Sequence, residues 1–200
     1  VEKDALTTAL SLGSTKQIKV ERFNSIGPSI GNELRRKAYI AIGVVILFIM
    51  LFITFAFRKV SEPVASWKYG VATVVALVHD VIIPTGLFIV FIHFHGGEID
   101  TLFVSAILAI LGFSVHDTIV VFDRVRENLR LNREHRSKEE FPDTVGKSLS
   151  QTFGRSINTS LTIFLVLLAL YIIGGEATRN FALVLIIGIV TGTYSSLFVA

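Results

Sequence analysis

The chain has 200 residues, of which 52% are hydrophobic and 18% are charged, and its formal net charge is only +3. Its mean hydropathy of +0.65 lies well above that of a soluble domain. Cysteine is absent, which excludes disulfides and thiolate–metal sites. The composition therefore indicates an integral membrane protein.

Five segments are long and apolar enough to cross a bilayer, which takes about 20 residues as a helix. They lie near residues 38–57, 69–94, 101–122, 157–174 and 181–200. Backbone groups in lipid must be satisfied within the protein, and these segments lack the alternating pattern of outer-membrane strands. The sequence thus predicts an all-α polytopic membrane protein with five spans.

Residues 123–156 form the longest predicted loop. We expect Arg124 to Arg133 to continue the third span as a helix into water. Val145, Leu149 and Phe153 recur every four residues, which predicts a separate helix along the membrane surface.

Basic residues are distributed unequally between the two sides of the predicted bundle. The side that carries 58–68 and 123–156 has eleven Lys and Arg residues near the spans, and the side that carries 1–37 has four. The positive-inside rule therefore places loop 123–156 in the cytoplasm and residues 1–37 outside. The basic residues lack interleaved aromatic residues, so we interpret them as a solvated interface and expect no nucleic-acid partner.

Residues 1–34 are polar and mixed, unlike the rest of the chain. A helix-like stretch, Lys3 to Leu12, precedes a strand-like one around Ile18 and Val20. We interpret residues 1–34 as the end of an extracytoplasmic α/β domain with a connector, and 35–200 as the transmembrane domain. Because the chain begins outside with neither an initiator Met nor a signal peptide, we expect a sixth, N-terminal span to precede Val1.

Two carboxylates, Asp80 and Asp117, lie within the second and third predicted spans. A charged Asp at the centre of a membrane helix costs about 3 kcal/mol on insertion scales, so such residues usually face the bundle interior. Asp117 lies about six residues, or roughly 9 Å, from the cytoplasmic end of its span. Removal from water favours a protonated carboxyl, so Asp117 is a candidate proton carrier. The alternative is a structural carboxylate that ties helices together by hydrogen bonds.

The fourth span carries a polar stripe on one helical face. It consists of Arg155, Asn158, Thr159 and Thr162, at i, i+3, i+4 and i+7. We expect this stripe to turn inward, towards other helices or water. For Arg155, the alternative is a side chain that extends to the membrane interface.

Asp80 is a second intramembrane carboxylate, which either titrates or holds helices together. His79–Asp80 and His116–Asp117 are adjacent pairs, and neighbouring side chains on a helix diverge by about 100°. We therefore expect no metal site. Gly188 and Gly192 in the last span have the spacing that permits close helix packing.

Several segments, in order along the chain, resemble the SecF family of protein-export membrane subunits, within the SecD/SecF group. The most specific is GFSVHDTIVVFDRVREN at 112–128; the others are 26–31, 33–35, 76–81, 149–152, 155–162, 174–176 and 192–196. His116 departs from the family pattern, in which Asn precedes the Asp. It leaves the carboxylate intact and adds a second titratable group.

The resemblance implies an RND-like helical bundle of six spans in a bacterial or archaeal plasma membrane. It also implies SecD as the partner that supplies the matching half, together with the SecYEG translocon and a translocating preprotein. The implied activity is use of the proton-motive force to assist export after the SecY channel, with protons as the coupling ion and no other cofactor. Asp117 and Arg155 match positions that the family places in the proton path. The alternative function is half of an RND-type proton-driven exporter of lipids or small molecules.

Overall fold

The computed structural model describes residues 28–58, 64–95 and 99–200, and its regular structure within these ranges is helical throughout. The five helices are α1 Pro28–Ala56, α2 Ser66–His95, α3 Thr101–Glu134, α4 Phe141–Ile173 and α5 Glu176–Phe198. Each contains a stretch long and apolar enough to cross a membrane. The predicted all-α fold with five spans is confirmed for these ranges. The predictions for the α/β segment before Pro28 lie outside the described residues.

The connection between the third and fourth spans is shorter than predicted. Helix α3 continues to Glu134, as expected, but α4 begins at Phe141 and runs without a break to Ile173. The predicted surface helix and the fourth span are therefore one helix, and loop 123–156 reduces to residues 135–140. Pro142 does not interrupt α4 because it lies in the first helical turn, where no backbone N–H is needed.

Close contact between α3 and α5 forms the centre of the bundle. A Cβ atom added to Gly188 would overlap the side chain of Ile110, and one added to Gly192 would lie 3.4 Å from Ser114 Cβ. The glycine pair predicted to permit close packing thus faces α3. Ile107, Ile110, Val184 and Ile189 are buried around this contact.

The buried face of α4 is a ladder of hydroxyl side chains, Thr144, Ser148, Thr152, Ser156 and Ser160. A step of four residues turns a helix by about 400°, so the ladder drifts around α4 by about 40° per step. Its first members therefore meet α3, where Ser148 accepts from Asn128, and Ser160 at its end meets Thr193 of α5. The ladder lets α4 pack against two helices in succession.

Amide side chains on α3 hold the beginning of α4 in place. Asn128 donates to Ser148 Oγ at 2.8 Å and to Gln151 Oε1 at 2.9 Å. One turn further, Asn132 donates to Thr144 Oγ1 at 2.9 Å. These bonds tie the ends of α3 and α4 beyond the apolar segments, so the relative register of the two helices is fixed before they enter the membrane.

We expect Gly188→Ala to destabilise the full-length protein by about 1–3 kcal/mol, the usual cost of overpacking a core. The added methyl group overlaps Ile110, whose branched side chain has little freedom to move. Denaturation in detergent would measure the loss. The control is Gly86→Ala, because a Cβ there meets nothing within 4 Å. Equal stability of the two variants would contradict the close approach of α5 to α3.

Candidate functional site

Asp80 lies fully buried on α2 and joins three helices through hydrogen bonds. Ser195 of α5 donates to its Oδ2 at 2.7 Å, and Ser114 of α3 donates to the same oxygen. The ring nitrogen Nδ1 of His79 lies 2.9 Å from Oδ1. Each of these groups can donate to a carboxylate, which has only acceptor atoms when ionised. The environment of Asp80 thus supplies the partners that a carboxylate needs in a water-free interior.

His79 Nδ1 and Asp80 Oδ1 are in contact on α2, and which of the two carries the hydrogen depends on the imidazole tautomer. The sequence prediction treated the two side chains as divergent, and the structure brings them together because Nδ1 reaches the neighbouring residue. Among the described residues, no three metal-ligating side chains come together.

Asp117 lies on α3, three residues from Ser114, and is partly buried. The hydroxyl of Ser160 on α4 lies near its carboxylate, and His116 and Arg155 are close enough to attract it electrostatically. Ser160 in turn lies 2.6 Å from Oγ1 of Thr193 on α5. Asp117 therefore stands where α3, α4 and α5 meet.

The structure brings Arg155 near Asp117 but leaves the predicted polar stripe at the surface of this chain. Arg155, Asn158, Thr159 and Thr162 are all exposed. Thr162 donates to the backbone oxygen of Asn158 at 2.8 Å, which satisfies its hydroxyl within the helix. The expected inward orientation is therefore not realised within the described part of the chain. The stripe faces lipid, water or another chain.

Sequence reasoning did not link to the two carboxylates four hydroxyl residues that lie around them. They are Ser114, Ser160, Thr193 and Ser195. Two of them had a signal in the sequence: Ser160 ends a run of hydroxyl residues at every fourth position, and Ser195 lies one turn after Thr191. Such runs occupy one helical face, and in this one Thr144, Ser148 and Thr152 donate to carbonyls one turn earlier.

An apolar groove of about 410 Å³ separates α4 from α5 beside Ser160 and Thr193. Its walls include Ile157, Leu161 and Ile189. The two hydroxyls therefore have apolar side chains on one side and the Asp117 carboxylate on the other. The exposed Arg155 lies five residues earlier on α4, about 7.5 Å along the axis. The surroundings of Asp117 thus include a hydroxyl that borders an apolar groove and an exposed arginine.

We expect Asp80→Ala to destabilise the protein mainly through the hydroxyl that it leaves without a partner. A buried unsatisfied donor costs about 1–3 kcal/mol. Ser195 has a second acceptor in the backbone oxygen of Gly192 at 3.1 Å, so Ser114 should account for most of the effect. The double variant Asp80→Ala/Ser114→Ala should therefore be little less stable than Asp80→Ala alone. Its free energy of unfolding should differ from the additive value by about 1–3 kcal/mol.

Detergent denaturation of the single and double variants would measure this coupling. The control replaces Ser156 with Ala, because its buried hydroxyl has no hydrogen-bond partner among the described residues. Ser156→Ala should add independently to Asp80→Ala. Simple additivity of Asp80→Ala and Ser114→Ala would show that the Asp80 contacts do not hold the helices together.

The sequence profile of the family described as "Protein export membrane protein SecD/SecF, C-terminal" matches residues 7–200. The chain is 49% identical over 176 residues to protein translocase subunit SecF of Thermobaculum terrenum, covering 88% of this chain and 53% of that protein. It is 40% identical over 175 residues to protein translocase subunit SecDF of Thermus thermophilus, covering 88% of this chain and 22% of that protein.

The fold is similar to a crystal structure of SecDF from Thermus thermophilus, described as a translocon-associated membrane protein. The TM-score is 0.81 at 37% identity, and the match covers all of this chain and 26% of that one. The chain spans a little over half the length of the SecF relative from Thermobaculum terrenum. Sequence and fold agree along almost the whole chain, and the chain belongs to the SecD/SecF family of protein-export membrane proteins.

Proposed function

We propose that this chain is the membrane part of a SecF-type translocase subunit that uses the proton-motive force to assist preprotein export. Its proposed partners are a SecD subunit, the SecYEG translocon and the translocating preprotein. The SecDF relative carries both names in one protein, which supports pairing with a SecD half. Residues 1–37 are proposed to lie outside and the connection around 135–140 in the cytoplasm, following the excess of basic residues on that side.

The observation that carries this proposal is the position of Asp117 between two unlike environments. The Ser160 hydroxyl, which borders an apolar groove, and the exposed Arg155 both act on its carboxylate. A nearby cation favours the charged carboxylate, and an apolar environment favours the protonated acid. A small movement of α3 relative to α4 would change whether Asp117 lies nearer to Arg155 or to the apolar groove. Its carboxyl group would then release or bind a proton.

A change in the protonation of Asp117 can drive a domain movement if the protonated and charged states open to different sides of the membrane. One charge crossing 100 mV releases about 2.3 kcal/mol. That energy shifts a two-state equilibrium by a factor of about fifty, since 1.4 kcal/mol corresponds to a factor of ten. The proposed cycle loads a proton on Asp117 from outside and releases it to the cytoplasm. In this cycle Asp80, whose hydrogen bonds join three helices, acts as a fixed structural tie.

Two other functions compete with this one. A proton-driven exporter of lipids or small molecules would use the same carboxylate chemistry, but the relatives are named as translocase subunits, which favours protein export. In the second alternative, the proton path lies wholly in the partner and this chain is structural. The exposed polar stripe of α4 argues against a purely structural role. Polar side chains within a membrane are costly, and they usually have a function.

We expect Asp117→Asn in the full-length subunit, assembled with SecD, to abolish the dependence of preprotein export on the proton-motive force. Asparagine keeps the shape of the side chain but cannot bind and release a proton. Loss of a positioned proton-transfer group should reduce proton-driven export on the order of a hundredfold. Export into inverted membrane vesicles, with and without an uncoupler, is the measurement.

The matched control is Asp123→Asn, an exposed carboxylate on the same helix that pairs with Arg126 at 3.0 Å. It should leave the dependence on the proton-motive force unchanged. If Asp117→Asn assembles normally and keeps full dependence, the proton path lies elsewhere and Asp117 only packs helices.

Arg155→Lys should weaken proton-driven export without abolishing it. Lysine keeps the positive charge near Asp117 but lacks the planar fork that binds a carboxylate with two parallel hydrogen bonds. Proton flux in reconstituted vesicles would measure the effect, with Arg130→Lys as the control because Arg130 is exposed and pairs with Glu134. Unchanged flux in Arg155→Lys would argue against a paired state of Arg155 and Asp117.

A further inference from the structure

An apolar trough follows α4 and α5 from one end of the bundle towards its middle. At the end where α2 begins and α5 finishes, a groove of about 270 Å³ has Lys68, Tyr69, Val145 and Leu149 in its lining. Leu197 lines this groove and also the groove of about 410 Å³ between α4 and α5. We call the two adjoining grooves together the α4–α5 trough.

One wall of the trough is an apolar row on α4 that the sequence already showed. Val145, Leu149 and Phe153 recur every four residues and were expected to lie along the membrane surface. In the structure Val145 and Leu149 line the first groove, and Phe153 lines the second. Helix α4 therefore carries two rows at the same spacing, the buried hydroxyl ladder and this apolar row beside the trough.

The trough is about as deep as one leaflet of a bilayer. On α5 its lining extends from Ala200 back to Ile189, roughly eleven residues or about 16 Å along the helix axis. Half of a hydrocarbon core is about 15 Å thick. The trough is open to its surroundings, because Leu161 and Tyr194 in its lining are 51% and 55% exposed.

The dimensions and polarity of the trough favour a hydrocarbon chain over a protein segment. A helix about 16 Å long and about 10 Å wide would occupy roughly 1,200 Å³, well above the volumes of the two grooves. An extended peptide would be narrower, but its backbone N–H and C=O groups would lack partners against these apolar walls. An acyl chain is narrow and has no polar group to satisfy.

A cation lies at the mouth of the trough. Lys68 is the third residue of α2, is exposed, and forms no ion pair with the side chains that the structure describes. Trp67 and Tyr69 flank it, and both residue types are enriched at the membrane surface. Lys68 thus lies at the level of lipid headgroups, where its ammonium group can meet a phosphate.

We propose that the α4–α5 trough binds one anionic phospholipid, with an acyl chain along α4 and α5 and the phosphate at Lys68. The proposed topology places this end of the bundle on the cytoplasmic side, where the membrane surface is negatively charged. The lipid would contact the ends of α2, α4 and α5 at once. The proposal does not depend on whether Asp117 carries protons.

Native mass spectrometry of the full-length complex in detergent tests this proposal, with phosphatidylglycerol and phosphatidylcholine of the same acyl chains added in turn. The wild-type complex should bind phosphatidylglycerol more tightly than phosphatidylcholine. Lys68→Gln should weaken the binding of phosphatidylglycerol about fivefold, the usual effect of one basic residue at an anionic surface, and leave phosphatidylcholine unchanged. The matched control is Lys147→Gln, because Lys147 is exposed and lies 3.7 Å from Glu139.

A second variant fills the trough without disturbing the buried core. Val190 lines the trough and is 56% exposed, so Val190→Trp should fold normally and reduce the binding of both lipids. Its control is Val75→Trp, at a residue of α2 that is 53% exposed and lies outside the trough lining. It should leave both affinities unchanged.

Two results would overturn the proposal. One is equal affinity of the wild-type complex for the two lipids, with no effect of Lys68→Gln, which is the behaviour of lipid that merely surrounds the protein. The other is a photo-crosslinker in place of Phe153 that labels a protein segment of the complex and no lipid in membranes containing phosphatidylglycerol. Labelling of phosphatidylglycerol that is lost in Val190→Trp would support the proposal.

Discussion

The contact between α3 and α5 brings hydroxyls from both helices together at the buried carboxylate of Asp80. Gly188 and Gly192 allow the backbone of α5 to approach Ile110 and Ser114. A larger residue at either position would hold α5 away from α3. Water is absent from the lipid core and cannot replace a lost hydrogen-bond partner. Hydroxyls on α5 can therefore donate to carboxylates on other helices only where the helices are in contact.

Helix α5 contributes hydroxyls near both carboxylates. Ser195 donates directly to Asp80 on α2, while Thr193 donates to Ser160 of α4, which lies near Asp117 on α3. The two arrangements differ in their burial. Asp80 is fully buried among three groups that can donate to it, whereas Asp117 is only partly buried and has His116 and Arg155 nearby. The partners of Asp80 thus lie within the bundle, and those of Asp117 include side chains exposed at the surface of this chain.

The sequence predicted the spans and the two carboxylates because both signals are local. A run of apolar residues reports a span by itself, and an Asp within it stands out without knowledge of its neighbours. The Gly188 and Gly192 pair was predictable for the same reason: its spacing alone permits close packing. The join between the surface segment and α4 was missed because Val145, Leu149 and Phe153 were interpreted as a separate surface helix, although hydroxyl residues at every fourth position continue a helix at little cost.

The orientation of α4 could not be predicted from polarity alone. Arg155, Asn158 and Thr159 are the more polar residues, and they were expected to face inward, yet the buried face carries Ser156 and Ser160. Small hydroxyl residues pack closely and can bond to carbonyls of their own helix, so they suit helix contacts within one chain. Larger polar side chains need space and partners, which the described part of this chain does not offer on that face.

The uncovered stripe of α4 gives physical support for a partner in the proton path. Asn158 and Thr159 lie within the predicted fourth span and are exposed, and polar side chains that face lipid carry an energetic cost. A second chain or a water-filled space against this face removes the cost. The hydroxyls of Ser160 and Thr193 near Asp117 come from this chain, whereas Arg155 is exposed at its surface. In the proposed cycle Asp117 alternates between two environments, and the one around Arg155 would be completed by groups outside the described residues. Pairing with a related half-bundle would provide that surface and would place a proton path at the junction between two chains.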